Sequence, residues 1–455
     1  MSRPTCASRH HAPSRLGLPS RRVFMRHGAM ALVTMGFAPS FLARTASAAG
    51  SRKKLLITVF QRGAVDGLNM VVPFGEADYY RARPSIAIAR PGTAEGAIDL
   101  NGFFGLHPRM SAFKPLWDRG ELAIVQASGS HDTTRSHFDA QDYMESATPG
   151  VKSTRDGWLN RYLSASANAS TAANATADKT ADKQAATAAH DATVAQGRNP
   201  LRAVALTSQM PRTLQGVAPA LAIGKTADFA VADMGARTSF EEIYQAAQDQ
   251  SLHGTAGEAF DAMRTLAKTT AGPYRPANGA VYPRSPFGQA LQEIARLAKS
   301  DVGLEIAFAE STQWDHHVNQ GAATGQMANR LNDFSQGIAA LAQDLGERMA
   351  DTVILTMSEF GRAVAENGSR GTDHGHGNAM FVIGGNVRGG EVYGQWPGLK
   401  ADQRFEGRDL AVTTDFRDVF GEVVVKHLGA DTATAALVFP GHQVKAASFR
   451  GILRA

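Results

Sequence analysis

Lys54-Leu55-Leu56-Ile57-Thr58-Val59-Phe60 is a nearly unbroken apolar run that leads into Gln61-Arg62-Gly63-Ala64-Val65-Asp66-Gly67. The run lacks the polar alternation of a strand with one wet face. It fits a strand covered on both sides, the usual state of strands in parallel α/β sheets. The glycines and Asp66 that follow read as a loop at the strand's end. Similar short apolar runs occur at Leu122–Gln126, Val302–Ala309, Thr352–Met357 and Met380–Ile383, with weaker ones at Ala203–Leu206 and Ala220–Ile223. Between them, Pro286–Lys299 sets Leu291, Ile294 and Leu297 on one helical face, and Met327–Met349 is a long amphipathic helix. Strands alternating with helices predict an α/β fold with a mixed, mostly parallel sheet and helices on both faces. Sheets of this kind carry their sites beyond the carboxyl ends of the strands.

Three Asp/His clusters are expected at those strand ends. They are His131-Asp132-Thr133-Thr134-Arg135-Ser136-His137, Trp314-Asp315-His316-His317 and Gly371-Thr372-Asp373-His374-Gly375-His376-Gly377. The chain has 14 histidines, three of them within residues 1–48, and six of the remaining eleven lie in these clusters. Imidazole and carboxylate together suit borderline divalent ions such as zinc. Asp66 is either a turn-forming Asp-Gly or an oxygen ligand. Ser136, Thr133 and Thr134 offer hydroxyls in the company of His137, Asp139 and Arg135, and a hydroxyl held against a divalent cation becomes a nucleophile. Ser136, Thr133 and His137 are the candidate catalytic group. Glu359 could orient a ligating imidazole or form a surface ion pair with Arg362. Arg62 or Arg135 could clamp an anionic oxyacid.

The first 48 residues read as an export signal. Ser20-Arg21-Arg22-Val23-Phe24-Met25 is a twin-arginine motif, Ala29–Ala43 is moderately apolar, and Ala46-Ser47-Ala48 is a small-residue cleavage site. The apolar stretch is shorter than the roughly 20 residues of a membrane span, and none is expected later. The expectation is a periplasmic or secreted protein whose partner during export is the twin-arginine translocase. Seven of the 47 basic residues lie in the signal, leaving 40 against 42 acidic residues. The net charge of +5 therefore becomes −2, which gives no case for a nucleic-acid partner. Cys6, the only cysteine, leaves with the signal, so disulfide and thiol chemistry are excluded beyond it. Residues 49–455 are expected to form the α/β domain. Within them, residues 164–197 are a low-complexity insertion of Ala, Thr, Ser, Asn, Asp, Lys and Gln without an apolar stripe, disordered or loosely helical.

Several strings carry a resemblance. Residues 54–76, Arg135-Ser136-His137-Phe138-Asp139-Ala140-Gln141, Asp156-Gly157-Trp158-Leu159-Asn160-Arg161 and Asp315-His316-His317 with Gln320 are among them. So are Ser358-Glu359-Phe360-Gly361-Arg362, Gly371–Asn378 and Thr414-Asp415-Phe416-Arg417. In that order they resemble the exported bacterial family called domain of unknown function 1501. That family is grouped with the alkaline phosphatase superfamily of sulfatases and phosphomutases, which implies an alkaline-phosphatase-like sandwich and two metal ions, zinc or manganese foremost. Thr372-Asp373-His374-Gly375 is similar to the mutases' Asp-His-Gly motif, and Asp132–His137 is similar to their nucleophile segment. The resemblance implies that Asp66, Asp373 and His374 hold one ion and that Asp315, His317 and His376 hold the other. His442 competes with His376. Alignment on the mutases makes Thr133 the nucleophile, whereas the closer family's own pattern favours Ser136. No Cys-x-Pro-x-Arg string is present, which argues against a formylglycine sulfatase.

The expected function is an exported, metal-dependent hydrolase or transferase of phosphate or sulfate esters, small or polymeric, with a Ser/Thr nucleophile. The alternative is a non-catalytic exported protein that keeps the fold and serves in cell-surface polymer handling or assembly.

Overall fold

A computed structural model describes residues 53–177, 199–224, 265–266, 268–269 and 272–454. The expected signal segment, residues 1–48, and residues 178–197 of the expected insertion lie outside the described residues; residues 158–177 form one helix, so the start of that stretch is helical. Among the described residues the main sheet has nine strands: β1 (Leu55–Gln61), β2 (Leu122–Gly129), β3 (Ala203–Ala205), β4 (Leu221–Ala222), β5 (Ile306–Ser311), β6 (Thr352–Met357), β7 (Asn378–Gly384), β8 (Val392–Tyr393) and β9 (Thr414–Asp415). Their order is β8-β2-β7-β6-β1-β5-β3-β4, with β9 paired beside β8 on β2. All seven residues of β1 are buried, and β1 pairs in parallel with β5 and β6. The other registers are parallel except those of β7, which runs against both β2 and β6. The protein is thus α/β with a mixed, mostly parallel sheet.

The pleat of β1 explains why both sides of its sequence are apolar. Leu55, Ile57 and Val59 face a core with Phe287, Leu291 and Ile294 of helix Pro286–Ala298 and Phe334, Ile338 and Leu341 of helix Gln326–Leu345. Leu56 and Phe60 face the opposite core, with Trp158 and Leu159 of helix Trp158–Ala177, Phe416 and Phe420 of helix Phe416–Glu422, and Val438 of helix Thr432–Val438. Each such side chain contributes roughly 1.5–3 kcal/mol on burial, so a polar residue at either set of positions would expose a whole helix contact. Helix Pro286–Ala298 starts where expected because Ser285 Oγ accepts from Gly288 N and Pro286 occupies its first turn. Among the described residues, no helix is long and apolar enough to cross a membrane.

The reversed direction of β7 matters most for the site. Parallel neighbours need a crossover, usually a helix, whereas the 358–377 connection between β6 and β7 contains none. The chain therefore turns back, and β7 begins at the end of the sheet where β1, β2, β5 and β6 finish. The 371–377 cluster sits ahead of β7 and not, as the strand-end pattern suggests, just past a strand.

Candidate metal centre

Four loops converge at this end of the sheet, and Arg362 stitches three of them. Its guanidinium, 2 % exposed, donates to Ala64 O at 2.6 Å and to Gly63 O in the loop after β1. It also donates to Trp314 O at 3.2 Å and Asp315 Oδ1 at 2.6 Å after β5, and to Thr372 O at 3.0 Å ahead of β7. Two glycines permit the close approach. A Cβ on Gly371 would stand 2.3 Å from the His317 carbonyl carbon, and one on Gly375 2.3 Å from that of Arg362.

Asp315 lies at the centre of the cluster. His317 Nε2 is 2.9 Å and His374 Nε2 3.3 Å from its Oδ1, and His137 Nε2 is 3.5 Å from its Oδ2. His317 Nε2 and His374 Nε2 are 2.9 Å apart. One atom each from His137, Asp315 and His374 falls within a 4.8 Å mutual span. On the far side of each ring, Nδ1 meets an oxygen acceptor: Glu359 Oε1 at 2.8 Å from His137, Arg135 O at 2.8 Å from His374, and Asp373 Oδ1 at 3.3 Å from His317. These contacts fix the ring orientations. A donor set of imidazoles and carboxylate suits zinc or a similar divalent ion. The cluster is also open to solvent, with the side chains of Asp315 and His317 43 % and 39 % exposed.

The supporting groups are themselves held. Glu359, 1 % exposed, also accepts from Gly63 N at 2.7 Å and Gln141 Nε2 at 2.9 Å. Burial pushes its carboxyl up, but the bond from His137 and its other donors outweigh that and bring it below the ordinary value. His137 is correspondingly raised, chiefly by the Glu359 bond and against burial. Burial would raise Asp315 too, and the Arg362 bond holds it down. His374 is lowered by burial, a direction that favours the neutral, ligating form. The Arg135 backbone that receives His374 is anchored by its own side chain, which donates to Asp409 Oδ2 at 2.6 Å and Glu406 Oε2 at 2.6 Å.

The structure thus brings together Asp315, His317, Asp373 and His374 from the sequence-derived metal set, joined by His137. Asp66, His376 and His442 make their contacts elsewhere. Asp66 is buried, its Oδ2 taken by Arg83 at 2.5 Å and Gln320 Nε2 at 2.7 Å, a charge paired inside the fold. His376 stacks on Phe405 with ring centroids 4.2 Å apart, and burial lowers it to about 4. His442 Nε2 pairs with Asp418 Oδ1 at 3.0 Å. Ser136 caps helix His137–Ser146, where its Oγ accepts from Asp139 N at 3.5 Å, and both it and Thr133 are exposed. Arg62 is committed to Glu310 and Glu145, and Arg135 to Asp409 and Glu406, so neither guanidinium is unpaired. Of the two sequence readings of Glu359, the contact with His137 is the one formed. The role of Arg362 escaped the sequence reading, because nothing local marks a buried arginine that reaches three separate loops.

No curated protein and no solved structure matches the chain. A family model described as "Protein of unknown function (DUF1501)" matches residues 53–431, and the chain belongs to that family.

Proposed function

We propose that the protein is an exported, metal-dependent hydrolase or transferase of phosphate or sulfate esters, with Ser136 as nucleophile. The observation that carries this reading is the meeting of three imidazole Nε2 atoms with the Asp315 carboxylate, at a cluster whose Asp315 and His317 side chains are open to solvent. Structural metal sites are closed by protein ligands, whereas catalytic ones keep positions for substrate. A bound divalent ion would polarise the ester and stabilise its developing negative charge. The export expectation and the likeness to the alkaline phosphatase superfamily point the same way.

Ser136 is favoured over Thr133 by its place in the chain. It stands between Arg135, whose carbonyl receives His374, and His137, so both neighbours are fixed by the cluster. Thr133 is three residues away and lacks such neighbours on both sides. Ser136 Oγ would release its proton to solvent and bond to the phosphorus or sulfur, while the bond to the ester oxygen breaks and that oxygen takes a proton from solvent. Water would then cleave the seryl ester and restore the hydroxyl. In this arrangement His137 positions metal and backbone and transfers no proton, since its Nδ1–H is bonded to Glu359. The pairing of Arg62 and Arg135 with carboxylates favours the second reading, a non-catalytic exported protein that retains the fold.

The test is turnover of aryl phosphate and aryl sulfate panels by the signal-cleaved protein loaded with zinc or manganese. Ser136→Ala is expected to lose turnover by orders of magnitude at unchanged metal content, and Thr133→Ala to stay within about twofold. Full metal loading without turnover on either panel would leave the non-catalytic reading.

A further inference from the structure

The geometry points to a single-ion centre with four protein ligands, His137 Nε2, His317 Nε2, His374 Nε2 and Asp315, on an ion of five or six coordination that keeps positions for substrate, in place of the two ions the superfamily likeness implies. In this assignment Asp373 is a positioning residue for His317. The inference rests on the metal-dependent reading of this site, and it concerns how many ions bind and through which groups.

Proton placement supplies the first argument. Glu359 and Asp373 carboxylates and the Arg135 carbonyl can only accept, so each of the three Nδ1 atoms carries the hydrogen. A neutral imidazole with its hydrogen on Nδ1 has only a lone pair on Nε2. His317 and His374 therefore direct lone pairs at each other across 2.9 Å, and both face a carboxylate oxygen. Such a contact repels unless one ring gains a second proton or a metal cation sits among the atoms. His137 Nε2 is buried without any hydrogen-bond partner, as a ligand atom awaiting an ion would be.

Spacing supplies the second argument. Ligand atoms about 2.1 Å from one ion lie about 3.0–3.4 Å apart in octahedral or tetrahedral arrangements. The contacts around Asp315 are 2.9, 2.9, 3.3 and 3.5 Å. These four separations are close to the edges of one coordination shell; His137, Asp315 and His374 form the mutually close group, and His317 joins it through Asp315 and His374. Among the described residues a second shell has too few members. Asp373 Oδ1 is engaged by His317 Nδ1 and by Asn367 Nδ2 at 3.0 Å. Asp66, which the likeness would recruit, has its Oδ2 held by Arg83 and Gln320 while its Oδ1 is buried without a hydrogen-bond partner, and His376 stacks on Phe405.

The test is titration of chelator-stripped, signal-cleaved protein with cobalt(II), followed by its ligand-field absorption and by mass-spectrometric metal content. One equivalent is expected. His317→Gln should weaken binding by more than about a hundredfold, and Asp373→Asn by about 10–100-fold with the stoichiometry kept at one. His376→Gln should bind as the wild type does. Two equivalents, with Asp373→Asn falling to one, would overturn the single-ion assignment and leave the ester-cleaving proposal standing. Unchanged affinity in His317→Gln would remove that residue from the ligand set and overturn the assignment as well. A folded protein that takes up no cobalt would sink both proposals. One tightly held ion without ester turnover would sink only the function.

Discussion

Replacing Glu359 by glutamine removes one charge from the site at almost constant shape. Its Oε1 now receives His137 Nδ1 at 2.8 Å, Gln141 Nε2 at 2.9 Å and Gly63 N at 2.7 Å. A hydrogen bond to a charged partner contributes roughly 1.5–3 kcal/mol, against about 1 kcal/mol for a neutral one. The anchor of His137 should therefore weaken by about 1–2 kcal/mol, or about five- to thirtyfold in metal affinity. That agrees with the roughly 10–100-fold effect of removing a carboxylate that orients a ligating histidine. The pH dependence gives a second signature. Glu359 holds His137 above its ordinary pKa, chiefly through this bond. Protons thus compete with metal for His137 at higher pH in the wild type than in the variant. Metal affinity should be measured by competition with a chelator from about pH 8 to about pH 6, with urea unfolding as a control for the fold. The deficit of Glu359→Gln should be greatest at the alkaline end and shrink toward acid. Equal affinities at about pH 8, or a deficit constant across the range, would refute the claim that Glu359 acts on the metal through His137.

Three further outcomes are expected. Arg362→Lys supplies three donors where the guanidinium reaches four carbonyls and Asp315, so urea unfolding should show a loss of about 3–5 kcal/mol, with metal retention lost alongside. Gly375→Ala would press a methyl group to 2.3 Å from the Arg362 carbonyl carbon. A stability loss of roughly 1–3 kcal/mol and weaker metal binding should follow, and wild-type metal affinity would contradict the close packing. His107, His316, His376 and His427 are each lowered from 6.5 to about 4, with burial the largest cause. A base whose folded pKa lies below its unfolded one stabilises the fold above the unfolded value, and that stability is lost as pH falls toward the folded value. The melting temperature of the metal-free protein should therefore drop between about pH 6.5 and about pH 4, and a flat profile would contradict neutral burial of these rings.

Local pattern alone determined that residues 54–60, 122–126 and 352–357 are covered strands, and that Pro286–Lys299 is a helix with one apolar face. Periodicity and capping are properties of neighbouring residues, and the observed elements β1, β2, β6 and Pro286–Ala298 differ from those readings by a few residues at their ends. The gathering of Asp and His in three strings likewise marked Asp315, His317, Asp373 and His374 before any coordinates. Only the tertiary structure decided which members meet. His137 reaches Glu359 across 222 residues of sequence, and Arg362 reaches Gly63 across 299. Asp66 looks equally suited in sequence, yet Arg83, seventeen residues on, folds back to neutralise it. The same holds for His376, two residues from His374, because the turn into β7 lays it against Phe405 and not against Asp315. Such choices depend on strand order and strand direction, above all the reversal of β7. Those are set by the packing of the whole sheet and leave no mark within any one loop.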